Sequence, residues 1–158
     1  MFNQKSCYVC EGFPLEYTER DGIIFDVSSI TGRDIEVNDI NLELIHDNMF
    51  VAFYTGFIEE VGYGGSVYFK EHPQLSKNLI KVLVEKHISI IGIDFAGVRR
   101  GAEHTPTDQY CADQGVFIIE NLCNLKSVLK HGTNFKAHTY PMNYAEMTGL
   151  PCRVVAEV

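Results

Sequence analysis

The chain has 158 residues, 46% of them hydrophobic and 22% charged, which suits one ordinary globular domain with a sizeable core. Its 21 acidic against 13 basic residues give a formal charge of −8, the wrong sign for gripping a phosphate backbone, so nucleic acid is excluded as an expected partner. No apolar run approaches the roughly 20 residues that span a bilayer, and the opening Met1-Phe-Asn-Gln-Lys-Ser-Cys7 is no signal peptide, so no membrane association is expected and the chain reads as cytoplasmic.

In chain order, Cys7-Tyr-Val-Cys10 comes first. A CxxC can be half a zinc site or a redox pair, but no second CxxC or paired histidine accompanies it, and two ordinary thiols are the default. Five cysteines, an odd number in a chain large enough to fold without staples, argue for free thiols. The runs Gly22–Val27, Met49–Tyr54, Ile88–Asp94 and Val116–Ile119 are short and apolar, as in strands of a largely parallel sheet covered on both faces. Asn38-Asp39 is read as opening a helix. Gly62-Tyr-Gly-Gly65 has the glycines of a loop without the arrangement that binds phosphate. Ser76 is the expected N-cap of a helix running to His87, with Leu79, Ile80, Leu83 and Val84 on one face.

A further helix is expected to start at Thr105-Pro-Thr-Asp108, with proline in the first turn and an acid near the positive end of the dipole. The segments 134–142 and 152–158 look extended, are separated by the turn signal Gly149-Leu-Pro151, and are expected to pair as late strands. The sum is a single α/β domain over residues 1–158 with a mixed sheet.

Chemistry concentrates just after the apolar strands, where open α/β sheets present their ligand-binding side chains. Glu120 directly follows Val116–Ile119, and a carboxylate there can hold a metal or move a proton. The plainer alternative is an acid hydrogen-bonded to a neighbouring loop. His104 and Asp108 are four residues apart; if one helix includes both, they share a face and can converge on a cation with Glu120. Otherwise Asp108 serves the helix dipole and His104 is a solvated loop residue. Phe57 and Tyr63 are candidates to line an aryl-binding pocket, and Arg99 and Arg100 to receive an acidic substrate group, although surface glycines and arginines commonly have no such role.

Thr55-Gly-Phe57, His72-Pro-Gln-Leu-Ser76, Ile91-Gly-Ile-Asp94, Glu120-Asn-Leu122 and Leu150-Pro-Cys-Arg153 occur in one order and with compatible spacing. Together they resemble the cyclase family, which includes kynurenine formamidase (arylformamidase) and isatin hydrolase, over nearly the whole chain from about Pro14. The resemblance implies a swivelling β/β/α-type fold, a homodimer or higher homo-oligomer, and hydrolysis of a small-molecule amide or formamide by water activated on Zn²⁺ or Mn²⁺. It also implies that Glu120 is a metal-site residue. The family's usual companion is a histidine twelve residues earlier, and this chain has Asp108 there, leaving Asp108 or His104 to complete that half of the site. The family's HxGTHxDxPxH signature, which supplies most metal ligands and the catalytic histidine, is absent from the 158 residues, and the PLE-like Phe13-Pro-Leu-Glu16 lies close behind Met1. The expectation is therefore an N-terminally truncated form in which Met1 is an internal methionine, with little activity by itself and apolar surface that association covers. The rival expectation is a metal-free paralogue acting as a binding or scaffolding subunit.

Overall fold

The computed structural model describes residues 15–142, 144, 147 and 149–158. Cys7 and Cys10 lie outside them, as do Phe13 and Pro14 of the PLE-like segment. Six strands form one mixed sheet: β1 (Glu19–Asp26), β2 (Phe50–Tyr54), β3 (Ile90–Ile93), β4 (Phe117–Ile119), β5 (Asn134–Pro141) and β6 (Cys152–Glu157), in the spatial order β4-β3-β2-β1-β5-β6. The first four are mutually parallel, and β5 and β6 are antiparallel additions beyond β1. The late strand pair expected from the sequence is present, with Lys136 opposite Glu157 and Pro141 opposite Cys152.

Strand alternation divides the apolar side chains between two cores. On one face Ile23, Val51, Phe53, Ile91 and Ile93 pack against Leu79, Ile80, Leu83 and Val84 of α3 (Lys77–Glu85) and Cys111 of α4 (His104–Asp113). On the other, Ile24, Phe50, Ala52, Tyr54 and Ile90 meet Leu122, Phe135, Ala137 and Leu125 of α5 (Leu125–Leu129). Coverage of both faces explains why the parallel strands read as continuous apolar runs rather than alternating ones.

The α3 start follows the sequence: Ser76 accepts from Leu79 N at 3.1 Å, satisfying one of the free N–H groups of the first turn. The helix stops at Glu85, and His87 then adopts a left-handed conformation (φ 54°) as the chain turns into β3. The α4 helix begins one residue earlier than the Thr105 start expected from the sequence, so His104 is its first residue. No α-helix forms at Asn38-Asp39. Only 3₁₀ turns form, at Val37–Asp39 and Leu42–Leu44, because Ile40 takes extended backbone (φ −132°, ψ 158°). That interruption lets Val37, Ile40 and Leu42 all pack on the first core, which a continuous helix would place around its circumference. Two further short helices, α1 (Phe57–Val61) and α2 (Ser66–Glu71), fill the β2-to-α3 connection. Among the described residues, no helix is long and apolar enough to cross a membrane.

Gly92 in β3 marks the tightest point of the second core. A Cβ there would stand 2.4 Å from Phe50 Cε1 and 2.8 Å from Leu122 Cδ1. Gly92→Ala therefore requires the ring and the leucine to move together, and we expect a loss of about 1–3 kcal/mol, read as a lower urea midpoint with an unchanged m-value.

Candidate metal centre at the carboxyl ends of the parallel strands

Asp94 follows β3 and is 1% exposed. Its carboxylate accepts from Thr55 Oγ1 at 2.6 Å, Gly56 N at 2.7 Å and Thr55 N at 3.0 and 3.1 Å. Gly56, with φ 77°, supplies the left-handed turn that aims both amides at one acid and opens α1. Burial pushes the Asp94 carboxyl above its ordinary value, and the Thr55 and Gly56 hydrogen bonds oppose that push. The Thr-Gly-Phe and Gly-Ile-Asp tripeptides are thus two halves of one clamp between the ends of β2 and β3.

The next strand ends in Glu120. Asn121 then takes a left-handed conformation (φ 61°), donates its N–H to Phe95 O at 3.2 Å, and accepts at its side-chain oxygen from Tyr68 at 2.5 Å. Leu122 donates its N–H to Ile93 O at 2.9 Å and turns its side chain into the second core. The three residues of the Glu-Asn-Leu element therefore differ in what they supply. Glu120 places a polar group at the strand end, Asn121 makes a turn that asparagine tolerates, and Leu122 anchors the chain in the core.

Because α4 starts at His104, that residue and Asp108 lie one helical turn apart on one face, opposite Glu120. His104 Nε2 is 2.8 Å from Asp108 Oδ2 and 3.1 Å from Glu120 Oε1. One donor atom from each of the three residues lies within 4.8 Å of the others. Asp108 Oδ1 is buried and has no hydrogen-bond partner. Burial pushes the Asp108 carboxyl up to about 6, opposed by His104 and reinforced by the Glu120 charge. Burial likewise raises Glu120, against the pull of His104. Two half-buried carboxylates facing one imidazole leave charge in excess of the donors present, and an unmet buried oxygen is costly. A divalent cation would supply what is missing, and one nitrogen with carboxylate oxygens is a donor set that Zn²⁺ and Mn²⁺ accept.

The other candidate residues surround this triad unequally. Tyr68 is fully buried, its ring stacks on Phe57 at 5.9 Å and meets Tyr63 edge-on at 5.4 Å, and its hydroxyl ends on Asn121 beside Glu120. Burial, with the charges of Asp94 and Glu120, pushes the Tyr68 hydroxyl up to about 12, so it stays a donor. Tyr63 is 69% exposed and Phe57 half-buried, at the rim of this aromatic group. Arg100 keeps a partly open guanidinium, with Nη1 donating to Lys70 O at 3.1 Å. Arg99 is 9% exposed and its guanidinium is engaged by Asp34, Glu103 and Leu75 O. Tyr68 and Gly97 also shape the site, although sequence reasoning did not single them out, and so do Thr55 and Gly56, which it named only as part of a tripeptide. Gly97 (φ 138°) lies so close to His104 that a Cβ there would be 3.2 Å from Cε1. The sequence signal for the Thr55–Asp94 clamp was present in its two tripeptides, but which groups bond to which is set by the parallel pairing of β2 and β3.

A family model described as "Putative cyclase" matches residues 4–99, more than half of the chain. The chain belongs to the cyclase family. The matched stretch holds the Asp94 clamp and Ser76, and ends before His104, Asp108 and Glu120. Solved structures reach further. A potential metal-dependent hydrolase with cyclase activity aligns with a TM-score of 0.75 and 27% identity over 92% of this chain and 68% of its own. A predicted metal-dependent hydrolase from Bacillus stearothermophilus aligns at 0.69 and 26%, over 90% of this chain and 65% of its own. Isatin hydrolase A from Labrenzia aggregata shares the fold at 0.76, with 20% identity over 92% of this chain and 63% of its own. The cyclase chain described here thus spans about two thirds of the length of these structures. No curated protein matches it.

The triad makes the metal-free cyclase chain sensitive to pH. The folded Asp108 carboxyl, at about 6, lies above the unfolded value of about 3.9, so the folded state holds this proton more tightly. The stability it contributes is complete below about pH 4 and is lost as pH rises through about 6. With chelator present, we expect wild type to lose on the order of 2 kcal/mol more than Asp108→Asn between about pH 4 and pH 7 in urea denaturation.

Proposed function

We propose that this chain is part of a metal-dependent hydrolase acting on an amide or formamide C–N bond of a small molecule, with His104, Asp108 and Glu120 holding a Zn²⁺ or Mn²⁺ ion. The observation that carries the reading is the convergence of the three side chains, with Asp108 Oδ1 buried and unpartnered. It is supported by family membership and by the likeness to structures described as metal-dependent hydrolases. When bound, such a cation lowers the pKa of its water and polarises a carbonyl oxygen.

The protein groups have separable roles in this reading. Asp108 and Glu120 supply anionic oxygens, and His104 supplies Nε2. A carboxylate such as Glu120 at this centre can also take a proton from water and return it to the leaving nitrogen. The Phe57 and Tyr63 rings offer apolar area to an aromatic substrate, and Arg100 a donor fork to an acidic group on it. The exposed Val155, Tyr140 and Met142 near the β5–β6 end of the sheet agree with a homodimer or larger homo-oligomer.

A second reading, a non-catalytic binding subunit, is favoured by aspartate rather than histidine twelve residues before Glu120.

Elemental analysis after dialysis against Zn²⁺ or Mn²⁺, followed by an arylformamide hydrolysis assay, separates the two. We expect near-stoichiometric metal in wild type and its loss in Glu120→Ala. Metal in neither protein would sink the metal-site reading. Absence of metal would favour the metal-free binding subunit.

A further inference from the structure

We propose that Arg99 is a positioning residue, which holds Glu103 and thereby sets how His104 is presented to Asp108 and Glu120. The consequence for cation affinity rests on the metal-site reading above; the effect on His104 does not.

Arg99 is poorly placed to receive a substrate. Its Nη1 donates to Asp34 Oδ2 at 2.6 Å and to Leu75 O at 2.9 Å, while Nε and Nη2 both donate to Glu103 Oε2, at 3.0 and 2.8 Å. A ligand carboxylate would have to displace one of these partners from a guanidinium that is almost fully buried. What the fork does instead is join three segments. Asp34 lies in the connection after β1, next to Ile35, which bridges to Leu75. Leu75 leads into Ser76, the cap of α3. Glu103 is the residue immediately before His104.

The far oxygen of Glu103 is also held, by Lys77 Nζ at 2.5 Å, so its carboxylate is fixed from two sides. His104 occupies the first position of α4, a place where helices fray unless something outside the helix restrains them. Here the restraint is complete in three directions. Glu103 fixes the backbone behind it, Gly97 closes against Cε1 and Nδ1 of its ring, and Asp108 and Glu120 meet Nε2. Residues that orient metal ligands typically alter affinity by about 10–100-fold when removed.

The test compares wild type with Arg99→Met, Arg99→Lys and a control, Lys136→Met, which loses exposed ion pairs to Glu19 and Asp21 without touching Asp34, Leu75 or Glu103. Two quantities are measured: Zn²⁺ affinity by calorimetry, and the His104 imidazole ¹H–¹⁵N signals of metal-free protein. We expect Arg99→Met to weaken Zn²⁺ by about 10–100-fold and to shift or broaden the His104 signals. Lysine should not rescue either, since one ammonium cannot serve Asp34, Leu75 O and Glu103 together. Lys136→Met should leave both unchanged. Glu103→Gln, at a half-exposed site, serves if Arg99→Met does not fold, with the same direction expected in both readouts. Wild-type affinity and unmoved His104 signals in the Arg99 or Glu103 variants would overturn the proposal. If wild type itself binds no Zn²⁺, the metal-site reading falls and the His104 signals alone decide the role of Arg99.

Discussion

The site depends first on a buried acid that has no part in the proposed chemistry. Asp94 is taken out of water at the end of β3 and offset by four hydrogen bonds from Thr55 and Gly56 at the end of β2. Because both strands are parallel and in register from Phe50 opposite Ile90 to Phe53 opposite Ile93, locking their ends fixes everything leaving them. On the β2 side that is α1 and the aromatic group around Tyr68. On the β3 side it is the run through Gly97 and Arg99 into α4. Loss of the acid would leave two part-buried N–H groups and the Thr55 hydroxyl unmet, at a cost of up to about 1–3 kcal/mol each, so the clamp has no cheap substitute.

Asp94 and Asp108, 14 positions apart, show how differently one side-chain type can be satisfied in one site. Both are largely buried and both are raised by that burial. Asp94 meets a hydroxyl and two amides and every oxygen is used. Asp108 meets one imidazole nitrogen and keeps Oδ1 empty, beside a second carboxylate that repels it. A fully satisfied buried acid is a fixture of the fold, whereas an unsatisfied one beside a like charge implies a ligand that completes it.

Much of this was legible in the sequence where a local rule decides the outcome. Ser76 caps α3 because a hydroxyl before an apolar-periodic stretch meets the free amide of Leu79, and β2, β3, β4 and the Gly22–Phe25 stretch of β1 are apolar because both faces are covered. The pairing of β5 with β6 follows from two extended segments around a turn. Other features were set by partners distant in sequence. Asn38-Asp39 does not open an α-helix because three apolar residues around it each find the core by leaving helical geometry at Ile40. Arg99 and Arg100 are adjacent and alike in sequence, yet one is enclosed by Asp34, some 65 residues away, and the other is partly open. His104 and Asp108 shared a face only on the condition that the helix began before Thr105, a difference of one residue that propensity does not fix.

The start of α4 at His104 also bears on the aspartate twelve positions before Glu120. An aspartate carboxylate is shorter and harder than an imidazole, and it adds a negative charge that Glu120 already supplies. On the metal-binding reading, a neutral imidazole from His104 would provide a nitrogen donor without adding a third charge, so the formal charge of the three ligands would be −2 and match a divalent cation. Placing the histidine one turn upstream, on the same face as the aspartate, keeps both within reach of Glu120. A helix starting at Thr105 would leave His104 in a flexible approach, and the nitrogen would no longer be held beside the two acids. On the metal-binding reading, the carboxylate at position 108 is therefore complemented by the imidazole at position 104, which the start of α4 at that residue holds on the same face.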